Sequence, residues 1–102
     1  KLGRPIRLIS YEAGQHLSAN GDDNLPYYDQ LIRAQSHSRM YGLYLMNMRL
    51  FEQAGGDLFV AFNDIARPGK FGSWGHLEYQ TQPIADAPKY KALIEYPMIE
   101  SE

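Results

Sequence analysis

Cysteine is absent from the 102 residues, which excludes a disulfide scaffold, a thiolate metal site and a cysteine nucleophile. An excess of positive charge is missing too. Ten lysines and arginines are scattered among twelve carboxylates, for a formal net charge of -2, so there is no basic field and no nucleic-acid partner is expected. No apolar run approaches the length needed to cross a bilayer, and no membrane association is expected. There is no Gly-x-Ser-x-Gly elbow to carry a nucleophilic serine, no internal repeat and no low-complexity tract. Neither a signal peptide nor an initiator methionine precedes Lys1, and Lys1-Leu2-Gly3-Arg4-Pro5 reads as the middle of a loop. The chain is expected to be cut from something longer.

What is present is enough for one small core. Hydrophobic residues make up 44% and charged residues 22%, so a single globular domain over residues 1–102 is expected, with disorder confined to the acidic tail Glu100-Ser101-Glu102. Gly3 and Pro5 break the chain before Ile6 to Tyr11, whose β-branched and aromatic content predicts a strand. Glu12 then falls at the strand's carboxyl end, followed at once by Ala13-Gly14. Ser18-Ala19-Asn20-Gly21-Asp22-Asp23-Asn24-Leu25-Pro26 is a turn-rich loop. Asp22, Asp23 and Asn24 lack the alternate spacing and distal glutamate of a calcium loop and read as a solvated helix entry.

From Tyr27 to about Ala54 the periodicity is helical, interrupted near Gln35 to Ser38. Tyr41, Tyr44, Leu45, Met48 and Phe51 share one face as core, Gly55-Gly56 supplies the stop, and Gly42 is expected to mark close packing against a neighbour. Leu58 to Phe62 reads as a second buried strand ending on Asn63-Asp64. Strand, helix and strand make a βαβ unit, so the strands should be parallel and open their carboxyl ends on one side. A loop follows with Arg67-Pro68-Gly69 and Phe71-Gly72-Ser73-Trp74-Gly75. Trp74, the sole tryptophan, is either a sugar platform or a core plug. A last helix begins near Asp86-Ala87-Pro88, with Asp86 as a candidate cap, and is expected to end at Pro97.

The run Gly3-Arg4-Pro5, then a strand ending Tyr11-Glu12-Ala13-Gly14, resembles the seventh strand of a clan A glycoside hydrolase, a (β/α)8 (TIM) barrel. A long helix, a second apolar strand, a loop with Trp74-Gly75 and a helix with Pro88-Lys89-Tyr90-Lys91-Ala92-Leu93 continue the likeness over nearly the whole chain. Some barrels of this clan carry a Tyr-Glu-Gly-Gly-Gln-His-like strand end, from which this chain departs at Ala13. The resemblance implies that Glu12 is the catalytic nucleophile and that Trp74 stacks under a sugar; Tyr11, His16 and Asn63 are expected within reach of Glu12, where a hydroxyl or imidazole would orient the carboxylate and favour its charged form. It implies an oligo- or polysaccharide partner, no metal and no cofactor, and an extracellular or periplasmic setting for the parent.

It also implies an Asn-Glu pair on a fourth strand as general acid and base, and no segment here corresponds to it. A retaining enzyme needs two carboxyl groups about 5 Å apart, and neither Glu52, Glu78 nor Asp64 is positioned by the sequence to be the second. The expectation is therefore the last part of a barrel, incomplete and inactive alone, whose uncovered surfaces associate with another copy or with a missing amino-terminal barrel segment. The alternative is a small non-catalytic α/β binding or assembly domain with Glu12 merely solvated. Metal chemistry through His16, His37 and His76 finds no matching spacing.

Overall fold

The computed structural model describes residues 5–100, the side chains of 99 and 100 excepted. Gly3-Arg4 of the opening motif and the Ser101-Glu102 end of the acidic tail lie outside the described residues. The order is β1 (Leu8–Ala13), α1 (Tyr28–Ala34), α2 (Arg39–Gln53), β2 (Gly56–Ala61), a 3-10 turn (Ile84–Asp86) and α3 (Pro88–Glu100). β1 and β2 pair in parallel as a two-stranded sheet, the arrangement predicted for a strand, helix, strand connection. The molecule is a mixed α/β unit.

β1 begins two residues later than Ile6 because its ladder with the partner strand begins there. The first ladder pair is Leu8 with Gly56, Leu8 N–H also donates to Asp57 Oδ2 at 3.2 Å, and Ile6 and Arg7 precede anything they could pair with. β2 likewise starts two residues before Leu58, and the ladder runs on through Phe62 N–H to Ala13 O at 2.8 Å. Between them the register is irregular: Ser10 pairs with Phe59 but Ala13 with Ala61, so three steps on β1 match two on β2. That is a β-bulge at Tyr11-Glu12. A second irregularity offsets it, one step from Leu8 to Ile9 matching two from Gly56 to Leu58, so the first and last pairs are equally spaced on the two strands.

The polar interruption at 35–38 divides the helical stretch as predicted. Gly55, at φ +95°, turns the chain out of α2, a conformation that costs glycine nothing. Met40, Tyr44 and Met48 of α2 close on Ala92 of α3, which is fully buried, with Tyr41, Leu45, Phe59, Leu93 and Tyr96 around them. Phe51 meets Phe59 edge to face at 5.7 Å. The small Ala92 lets the two helices approach, and Tyr41 Oη donates to Glu95 Oε1 at 2.6 Å across the seam.

Three expectations are corrected. Gly42 is exposed with open space where a Cβ would stand, so close packing is not its reason. Pro97 lies inside α3 rather than ending it. Its fixed φ is helical, and near an exposed end the clash and lost bond fall on a carbonyl that can turn to water. Asp86 closes the 3-10 turn, and the first carbonyl of α3 to accept is that of Ala87, from Lys91 N–H at 2.9 Å.

The core is small for the chain. The Cα radius of gyration is 15.4 Å, against about 13 Å for a compact domain of this length. Phe59 points to the helices, while Ile9, Leu58 and Val60 on the other face are exposed. On α2, Leu43, Met46 and Leu50 form a second apolar stripe, each more than half exposed.

Candidate functional site

Where the strands end, Glu12, Ala13, Gly14, Gln15 and His16 from β1 face Phe62 and Trp74 across a cleft of about 200 Å³. Glu12 is the one carboxylate among the described residues that lines the cleft. The Trp74 ring lies 5.3 Å from that of His16, tilted by 60°, and 6.0 Å from that of Phe62, nearly edge on. Glu12, His16 and Trp74, all named from the sequence, thus come together.

Tyr11 and Asn63 stand apart from them. Tyr11 is 81% exposed and does not line the cleft. Asn63 follows a cis peptide after Phe62; its Oδ1 is buried without a partner among the described residues. The work of Asn63 is done by its backbone, which donates to Trp74 O at 2.9 Å and accepts from His76 N–H at 3.1 Å. Glu52 accepts from Tyr96 Oη at 3.2 Å, between α2 and α3. Glu78 and Asp64 act on Lys89 and His76 respectively, and neither lines the cleft.

The Trp74 loop is held from several sides. Gln15 Nε2 donates to Ser73 O at 2.6 Å, and Ile65 and Leu77 form a bridge that closes the loop's base. Gly72 lies under the indole, where a Cβ would collide with the ring, and Gly75 is pressed so closely on the backbone of Ala66 that no side chain fits. Behind the loop, Lys89 is 2% exposed. Its Nζ donates to Ser73 O at 2.7 Å and to Gly75 O at 3.4 Å. Burial lowers its pKa to about 8, with the Glu78 charge opposing.

His76 is buried beside this group, edge on to Tyr44 at 5.9 Å, and its Nε2 has no partner among the described residues. Burial, then the Lys89 charge, push its pKa down to about 4 against the weaker pull of Asp64, so the ring is neutral at pH 7. Burial also raises the Tyr44 pKa, partly offset because Gln15 N–H donates to its oxygen.

Comparison with family models, with curated proteins and with solved structures returned no match.

Among the described residues no group of three or more His, Asp or Glu side chains could hold a metal ion. His37 caps the α2 entry, its Nδ1 accepting from Arg39 N–H at 3.1 Å. Asp22 Oδ1 accepts from Asn24 N–H at 3.0 Å, the local turn expected of a helix entry. Gln15, Phe62 and Lys89 were not singled out by the sequence. Lys89 did carry a signal: a lysine in the first turn of a helix sits against the dipole, so another contact has to hold it there.

Proposed function

We propose that this chain is the nucleophile-bearing carboxyl-terminal segment of a retaining glycoside hydrolase barrel, acting on an oligo- or polysaccharide and inactive alone. The observation that carries this reading is that Glu12, at the carboxyl end of one parallel strand, and Trp74, beyond the next, line a single cleft. In parallel α/β folds that end of the sheet is where ligands gather. A strand-held carboxylate is a suitable nucleophile for an anomeric carbon, and an indole offers the apolar face that a sugar ring stacks on. His16, tilted against Trp74, would meet the same sugar.

One carboxylate cannot complete the reaction. Double displacement needs a second, about 5 Å away, to protonate the leaving oxygen, and the cleft has none. The isolated chain should give no measurable hydrolysis, since loss of the acid forfeits ~100-fold or more of rate. In a longer parent, Glu12→Gln should abolish turnover of an activated aryl glycoside, and a 2-fluoro glycosyl inhibitor should label Glu12. Full activity in that variant, or label elsewhere, would remove Glu12 from the mechanism. The same missing carboxylate favours a second reading, a non-catalytic binding or assembly domain. Titration with oligosaccharides, followed by Trp74 fluorescence in the parent and in the isolated chain, separates the two.

A further inference from the structure

We propose that Lys89 is a positioning residue for Trp74: by clamping the carbonyls on either side of it, Lys89 sets the indole at the cleft mouth without touching a ligand. Nζ reaches Ser73 O and Gly75 O, one residue before and one after Trp74. A donor that bridges the two flanking carbonyls fixes the peptide planes between them, and with them the direction of the side chain. The clamp completes a set of backbone anchors drawn from separate elements. Gln15, leaving β1, donates to Ser73 O, and Asn63, leaving β2, donates to Trp74 O. Lys89 adds the tie to α3, and the indole itself rests on Gly72.

A lysine this deeply buried is costly unless its donors are used. It is not a member of the Met40, Tyr44 and Met48 core cluster, and its Nζ bonds the loop backbone. Ammonium to carbonyl bonds are charge-assisted, roughly twice as strong as neutral ones. The groups facing the ammonium are Glu78, which favours its charge, and His76, which is neutral above about pH 4; Gln15 beside it is uncharged, and Tyr44 lies behind His76.

Trp74 is the sole tryptophan, so its fluorescence reports the clamp directly. Lys89→Met keeps the aliphatic bulk and removes the donors. Its acrylamide quenching constant is expected to rise and its anisotropy to fall, with the far-ultraviolet circular dichroism unchanged. Lys89→Arg, whose fork can span both carbonyls, is expected to restore the wild-type values. The wild-type chain supplies a test that needs no variant. As the ammonium loses its proton around pH 8, the amine keeps two N–H donors but the bonds lose their charge assistance, so quenching should rise in one step smaller than that of Lys89→Met. Equal quenching in wild type and Lys89→Met overturns the proposal, and if that variant does not fold, a flat wild-type pH profile overturns it. The consequence for sugar affinity rests on the carbohydrate reading. A quenching change with no fluorescence response to cellopentaose in the parent would uphold the clamp and refute that reading.

Discussion

Replacing His76 by phenylalanine should change how stability depends on pH more than it changes stability at pH 7. The imidazole is 6% exposed, with its pKa lowered to about 4, whereas in the unfolded chain it titrates near ~6.5. Between those values the unfolded state holds the extra proton, so unfolding free energy falls as pH falls. At about 1.36 kcal/mol per pKa unit the loss approaches a ceiling of about 3 kcal/mol below pH 4, a large share of the roughly 5–15 kcal/mol typical of a domain. Phenylalanine fills the same space, keeps an edge contact with Tyr44 and has no Nε2 to leave unpaired. Urea unfolding from about pH 7 to about pH 4, followed by Trp74 fluorescence and circular dichroism at one protein concentration, measures the difference. Lys89, with its pKa lowered to about 8, is mostly protonated at pH 7 and more fully so below, so its contribution over that range is small. The wild-type curve should converge on or fall below that of His76→Phe as the pH drops. Parallel curves would refute the argument that burial holds this ring neutral.

Gly72→Ala should drive the indole off its seat, because the added Cβ lands within the ring; a red-shifted Trp74 emission with unchanged circular dichroism is the expected result. Met48→Ala, in the centre of the α2 and α3 seam, should cost about 2–5 kcal/mol in urea unfolding. The isolated chain should self-associate in sedimentation velocity, and Leu43→Lys with Leu50→Lys, on the bare stripe of α2, should reduce this without loss of helix. A monodisperse wild-type monomer with well-protected amides would count against that prediction.

The elements were legible because their signals are local. Tyr44 and Met48 repeat at helical spacing, the polar 35–38 segment divides the helices, and Gly55 ends α2. Parallel pairing followed from connectivity alone. What the sequence did not show depends on chain meeting chain. The bulge at Tyr11-Glu12 arises from matching β1 against β2, and nothing in Ile6 to Tyr11 announces it. The same holds for Asn63, chosen as a polar strand end but engaged through its peptide groups, and for Gly42, whose neighbour proved to be solvent. Lys89 read as one more helical lysine until the fold put two carbonyls at its Nζ.

On the barrel reading proposed above, the single-carboxylate cleft and the bare surfaces would share one cause. The surface is 7348 Å², where a folded monomer of this mass exposes about 5,900 Å², and the excess is apolar where it matters. Ile9, Leu58 and Val60 cover one face of the sheet, and Leu43, at one end of the bare α2 stripe, borders the β1 exit at Gly14, Gln15 and Leu17. Each strand also has an unpaired edge, which favours further strand pairing. On that reading a strand and helix added at the β1 edge would cover the α2 flank as well, and would stand beside Glu12, where the second carboxylate is required. Stability and chemistry therefore make the same demand. On the hydrolase reading proposed above, whatever completes the sheet would also supply the acid; a partner that buries Leu43 and Leu50 but brings no carboxylate within about 5 Å of Glu12 would instead fit the binding-domain reading.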